Sequence, residues 1–230
     1  MKIGILMAGH APDPVRRDKG DFDAMFTRLL GGRGFDFDVY DVENMQFPSG
    51  PDAADGWLVS GSRHAAYEDH AFIPPLEQFI RDVIAAGVPL VGICFGHQII
   101  AQALGGRVEK FGGGWALGRR TYRLEDGGEI ALSAWHQDQV VALPEGATRL
   151  ASNGFCENAI LAYGDRAFTV QAHPEFSGEI ISAYVEARRG TGTYSNDMMD
   201  QAARDAPLPL DTGRLGDAIA RFFKTRVAYV

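Results

Sequence analysis

The apolar positions of this chain fall into short runs separated by Gly, Pro and Asp, and one of them organises the rest. Val88 to Ile93 is short and continuously apolar, the pattern of a strand covered on both faces of a parallel sheet. A sharp turn at Cys94 follows, and then a helix to about Leu104, on which Ile99, Ile100, Ala103 and Leu104 form an apolar stripe. Gly105 and Gly106 supply residues that stop it.

Upstream, Lys2 to Ala8 predicts a first buried strand that opens into Gly9-His10. Ala11 to Pro14 and the charged residues after them read as a loop. Asp21 to Leu30 has helical spacing, closed by Gly31-Gly32. Phe35 to Val42 alternates apolar residues with aspartates, which predicts a strand with one wetter face. Trp57 to Ser60 is a short strand running into Gly61-Ser62-Arg63-His64, and Pro74 to Ala86 is a helix with proline in its first turn and Gly87 at its end. This alternation predicts right-handed crossovers and a doubly wound sheet, with sites at the carboxyl ends of the strands. Gly9, the 60–64 loop and Cys94 all fall at such ends.

From Arg107 to Val170 the texture changes. Short β-prone pieces at 119–124, 129–132, 139–143, 148–151, 159–163 and 168–171 are separated by turns, which predicts a small antiparallel section. Helical patterns return at 178–189, 196–204 and 212–226. The expected architecture is α/β, one domain over 1–230, with a mostly parallel central sheet flanked by helices.

Composition narrows the function classes. A net charge of −8 and the lack of a Lys/Arg cluster argue against a nucleic-acid partner. No apolar run approaches the length of a membrane span, and the apolar start after Lys2 gives way to polar residues too soon for a signal peptide. Two cysteines do not make a disulfide framework at this size, and an active thiol suits a reducing cytoplasm. His10, His64 and His70 fall on loops without metal-ligand spacing, so no metal or other cofactor is expected.

The chemistry concentrates at two motifs. Gly92-Ile-Cys-Phe-Gly96 is a G-x-C-x-G sequence at a strand-to-helix junction, the thiol form of a nucleophile elbow. The flanking glycines permit the turn, and the helix N-terminus beneath the sulfur favours thiolate. A buried structural cysteine at an ordinary strand end is the alternative. A nucleophile needs a base and an orienting group. Gln171-Ala-His-Pro-Glu-Phe176 offers both, because His173 and Glu175 are two residues apart and point the same way in an extended segment stiffened by Pro174. His173 would take the thiol proton and Glu175 would fix its tautomer. Cys156 lacks such surroundings and reads as structural, His97 as packing. Gly112 to Gly114 is no phosphate loop, since no Lys-Ser/Thr follows.

The order nucleophile, His, then acid excludes an α/β-hydrolase. Gly92 to Gln98 together with His173-Pro-Glu175 resembles the class I glutamine amidotransferases, and most of the chain from Trp57 to about Phe176 shares the likeness. Val59-Ser-Gly-Ser62, Gly105-Gly-Arg-Val108, Trp135-His-Gln-Asp-Gln-Val140 and Gln171-Ala-His-Pro-Glu175 resemble the free-standing GMP-synthase-like members and the plant γ-glutamyl peptidases. The resemblance implies a flavodoxin-like fold and a Cys94-His173-Glu175 triad that hydrolyses a γ-glutamyl amide through a thioester. It implies an oxyanion hole from the backbone N–H groups of Phe95 and of Gly61 or Ser62, although Ser62-Arg63 departs from the family's glycine- and proline-rich loop. It also places Gln98, Trp135, His136 and Gln137 against the amino-acid end of the substrate. An amidotransferase would need a separate synthase subunit as partner, and a γ-glutamyl peptidase would not. A protease- or deglycase-like relative ranks lower because Phe95, and not His, follows the cysteine. A binding module that has kept the fold is disfavoured by the intact triad.

Overall fold

The computed structural model describes residues 1–230 and begins with the expected alternation. Strand β1 (Lys2–Leu6) is followed by helices α1 (Asp13–Lys19) and α2 (Phe22–Leu29), then β2 (Asp36–Tyr40), β3 (Gly56–Val59), α3 (Ile73–Ala86), β4 (Leu90–Ile93) and α4 (Phe95–Ala103). Next come β5 (Arg107–Lys110), β6 (Ala116–Leu124), β7 (Glu129–His136), β8 (Asp138–Ala142), β9 (Ala147–Ser152), β10 (Ile160–Tyr163) and β11 (Ala167–Val170). Helices α5 (Gly178–Arg188), α6 (Asn196–Asp205) and α7 (Thr212–Thr225) complete the chain. No helix is long and apolar enough to cross a membrane.

Nine strands form one sheet in the order β2-β1-β3-β4-β11-β10-β9-β6-β7. The first five pair in parallel, and β10, β9, β6 and β7 extend the sheet antiparallel. Strands β3, β4, β10 and β11 are buried along their whole length, as continuous apolar runs demand when both faces are covered. Leu58, Val91 and Ile93 face a core built with α2, α5 and α7, whereas Trp57, Val59 and Leu90 face a second core built with α3 and α4. The pleat thus sends alternate residues of one strand to different cores.

The chain departs from the sequence pattern in two places. Residues 13–19, expected as a loop, form α1. Pro14 lies in its first turn, where a missing N–H costs nothing, and a single buried residue, Val15, leaves no apolar stripe to reveal it. Strand β5 also lacks a sequence signal, because Arg-Val-Glu-Lys carries only one apolar residue. It exists by pairing with β8 as a separate two-stranded ribbon.

The far edge of the sheet returns to its middle. His173, just beyond β11, forms a β-bridge with Ser133 of β7, and its N–H donates to the Ser133 carbonyl at 2.7 Å. The antiparallel extension therefore curls over the carboxyl ends of β1, β3, β4 and β11, and β7 delivers Trp135 and His136 there.

The elbow is held by close backbone approach. A Cβ on Gly96 would meet the carbonyl oxygen of Val59 in β3, and one on Gly92 would meet the Gly96 carbonyl. Gly96→Ala should cost at least about 1–3 kcal/mol of overpacking, or roughly 3–10 °C in Tm for a chain of this size. Thermal unfolding followed by circular dichroism checks this, and an unchanged Tm would contradict it.

Candidate active site

Cys94 lies between β4 and α4 with φ 55° and ψ −102°, a left-handed backbone on a residue that has a Cβ. Its N–H donates to the Val170 carbonyl of β11 at 2.8 Å, and its carbonyl accepts from Gln98 at 3.1 Å. The Gly96 N–H donates to the Ser60 carbonyl at 3.1 Å. Neighbouring strands on both sides thus fix a turn that an isolated chain would avoid. The thiol lies at the N-terminus of α4.

His173 and Glu175 come together as their spacing predicts. His173 Nδ1 lies 2.6 Å from Glu175 Oε1, and both side chains are almost fully buried. The imidazole stacks on Phe176 with ring centroids 4.1 Å apart and on Phe22 at 6.3 Å. A Cβ on Gly61 would press on the ring at 3.0 Å, so Gly61 lets the 60–62 loop approach it. Burial opposes charge on His173, but the neighbouring Glu175 carboxylate and Cys94 sulfur outweigh it and raise its pKa from 6.5 to about 10. The second oxygen of Glu175 is buried with no hydrogen-bond partner, so the imidazolium is its main compensation. A sulfur nucleophile beside an oriented imidazolium can attack a carbonyl carbon while the imidazolium protonates the departing group.

Two adjoining cavities flank these groups. The first, of about 200 Å³, is lined by Cys94, Gln98, Trp135, His136, Gln137 and Asp138. All four residues assigned to the substrate's amino-acid end therefore share one wall system with the thiol. Gln98 Nε2 donates to the Asp138 carbonyl at 2.9 Å and to Gln171 Oε1 at 3.2 Å, which locks its orientation. The second cavity, of about 320 Å³, has His173 in its wall and opens on the other side of Ser62, Arg63 and the two tryptophans Trp115 and Trp135. Backbone N–H groups of Gly61 and Ser62 donate to no group of the protein, and that of Phe95 is the first of α4, with no partner in the helix. Arg63, Trp115, Asp138, Arg188 and Tyr194 also face these cavities. Trp115, Arg188 and Tyr194 carry no motif that marks them, because they join the site only through the fold, from the segment before β6, the end of α5 and the loop after it.

The remaining candidates divide clearly. His97 is fully buried and bonded to Thr169 Oγ1 at 2.8 Å, a packing residue. Burial pushes it down to about 3, helped by His136, and burial likewise pushes His136 to about 3. Cys156 is buried, and burial pushes its thiol up to about 12, so it is inert beside Cys94. The loop histidines are less isolated than their spacing implied: the 64–70 turn brings ligating atoms of His64, Glu68 and His70 within 4.8 Å of one another. Carboxylates engage both rings, His64 Nε2 with Glu43 Oε1 at 2.9 Å and His70 Nε2 with Glu68 Oε2 at 2.8 Å.

These shifts fix the sign of the pH dependence. His173 has a raised folded pKa, so its stabilising contribution is full below about 6.5 and is lost as pH rises towards 10. His97 and His136 have depressed values, so the unfolded chain takes up protons that the folded one refuses, and stability falls as pH drops from 6.5 towards 3. Tm should therefore decline on both sides of near-neutral pH. Glu175→Gln should flatten the alkaline limb and His97→Gln the acid limb, each by several degrees; limbs as steep as the parent's would contradict the assignment.

Comparison with known proteins gives the family and the fold. The family described as glutamine amidotransferase class-I matches residues 18–186. A glutamine amidotransferase-like protein of Schizosaccharomyces pombe is 33% identical over 72% of this chain and 70% of its own. Gamma-glutamyl peptidase 3 of Arabidopsis thaliana is 30% identical over 87% of each chain. The crystal structure of a glutamine amidotransferase from Methylobacillus flagellatus superimposes with a TM-score of 0.76 over 98% of this chain and 92% of that one; at 21% identity it shows the shared fold. An elbow cysteine in a doubly wound sheet, a buried His-x-Glu pair beside it and a family match across most of the length lead to one conclusion: the chain belongs to the class-I glutamine amidotransferase family of enzymes.

Proposed function

We propose that this enzyme hydrolyses a γ-glutamyl amide through a γ-glutamyl thioester on Cys94, with His173 and Glu175 completing a triad. The observation that carries the reading is the buried 2.6 Å contact between His173 Nδ1 and Glu175 Oε1 next to the strained Cys94 turn. Thiolate Cys94 attacks the γ-carbonyl carbon and a C–S bond forms. The carbonyl oxygen gains negative charge, and the free N–H groups of Phe95 and of Gly61 or Ser62 receive it. His173 gives its proton to the amide nitrogen through Nε2, and the C–N bond breaks to release the amine. Water then attacks the thioester and passes a proton to His173, and the C–S bond breaks to regenerate thiolate and leave glutamate. Glu175 holds the imidazole in the tautomer that presents Nε2 and stabilises the imidazolium at each stage. Gln98, Trp135, His136 and Gln137 hold the amino-acid end of the substrate in the cavity they share with Cys94. No metal or cofactor takes part in this scheme, and a reducing compartment such as the cytoplasm keeps the thiol active.

Two versions share this chemistry. A glutaminase of the amidotransferase type passes its ammonia to a separate synthase subunit. A γ-glutamyl peptidase works alone, and the match to the Arabidopsis thaliana peptidase over 87% of both chains favours it.

Purified protein incubated separately with L-glutamine, glutathione and a γ-glutamyl dipeptide should release glutamate from at least one. Cys94→Ser and His173→Ala should each reduce that release at least about 10³-fold. Peptide cleavage with little glutamine turnover supports the peptidase, and glutamine turnover alone supports the amidotransferase. Glutamate release that survives Cys94→Ser would refute the mechanism.

A further inference from the structure

The cavity on the far side of His173 is larger than ammonia requires. Its volume of about 320 Å³ falls within the roughly 300–1,000 Å³ of small-molecule sites. His173 forms part of its wall and Cys94 does not, whereas Cys94 lines the neighbouring 200 Å³ cavity and His173 does not. The scissile bond must lie between sulfur and imidazole, since Cys94 attacks the carbonyl carbon and His173 protonates the nitrogen. An acyl group in the Cys94 cavity therefore directs whatever is attached to the nitrogen into the His173 cavity.

The walls of that cavity specify what it accepts. Trp135 Nε1 donates to Tyr194 Oη at 3.0 Å, and Trp115 packs against Tyr194 with ring centroids 4.9 Å apart. Tyr184 lies against Trp135 at 5.1 Å. These rings line one side of the cavity with packed aromatic surface. Three basic side chains also face it, and two have acidic partners in the fold: His10 pairs with Asp21 at 2.7 Å, and Arg63 with Glu43 at 3.1 Å. The third, Arg188, is half-buried in the last turn of α5 and forms no ion pair and no side-chain hydrogen bond. Its neighbour Arg189 turns away and pairs with Asp200 at 2.8 Å. A partly buried guanidinium without an acceptor is a site for a carboxylate, which it can bind through two parallel N–H···O bonds.

We propose that the aromatic cavity beside His173 is a leaving-group subsite in which Arg188 binds the carboxylate of the departing amine. The preferred substrates are then γ-glutamyl amides of amino acids or short peptides with an apolar side chain, not glutamine. This inference rests on the γ-glutamyl hydrolysis proposed above and names the half of the substrate that reading leaves open.

Three substrates isolate the carboxylate: γ-glutamyl-phenylalanine, the γ-glutamyl amide of phenethylamine (the same compound without its carboxylate) and glutamine. The parent enzyme should show a kcat/KM for the first about 10- to 100-fold above the second, the range of a charge-assisted bidentate contact. Glutamine, which leaves the cavity empty, should be turned over least efficiently. In Arg188→Ala the ratio between the first two should collapse towards one, and Arg188→Lys should restore part of it. Because the ratio compares two substrates on the same folded protein, a general loss of activity does not mimic the effect. A preference that survives Arg188→Ala, or its absence in the parent, would overturn the subsite while leaving γ-glutamyl hydrolysis intact. Absence of Cys94-dependent glutamate release from all three would overturn the hydrolysis and the subsite with it.

Discussion

Cys94 holds a left-handed backbone that only the strands around it can impose. A φ of 55° with ψ of −102° is sparsely populated for a residue with a side chain and costs of the order of 1–3 kcal/mol. Strands β4, β3 and β11 hold the turn through the hydrogen bonds of Cys94 to Val170 and of Gly96 to Ser60. Gly92 and Gly96 make the approach feasible, because their missing side chains leave room for backbone carbonyls. The same strand ends place the 60–62 loop and His173 around the sulfur. The strain is thus part of how the site is assembled, and the buried sheet beneath supplies the stability that sustains it.

A second constraint is electrostatic. Glu175 and His173 are buried as a pair, and neither charge would be tolerated there alone. Phe176 and Phe22 stack on the imidazole, and Gly61, lacking a side chain, lets the 60–62 loop pass close to its edge. The ring can therefore keep one orientation while its proton moves. His136 and His97, equally buried but without a carboxylate, are driven towards the neutral form instead. Burial is common to all four groups; partners decide which of them hold charge.

Much of this was legible in the sequence, and for identifiable reasons. The elbow announced itself because an apolar run, two glycines and a helical stripe coincide within a few residues. His173 and Glu175 were readable because a two-residue spacing in an extended segment carries a definite geometry. The substrate-wall residues came from family resemblance, and the fold gathers all four in the Cys94 cavity. Helix α1 was hidden by two prolines and a single buried residue, and β5 by its one apolar position. The cavity beside His173 left no local trace. Trp115, Trp135, Tyr194 and Arg188 lie on four separate segments that meet only in the folded chain. Motifs encode local geometry, whereas a wall built from distant segments depends on the global curl of the sheet.

Mass spectrometry of the acid-quenched enzyme shows whether Cys94 carries the acyl group. Protein mixed with excess γ-glutamyl substrate, stopped during turnover and digested, should show a γ-glutamyl adduct on the peptide that contains Cys94. The adduct should disappear once substrate is exhausted. Glutamate release with Cys94 unmodified throughout, or with the adduct on Cys156, would contradict the account.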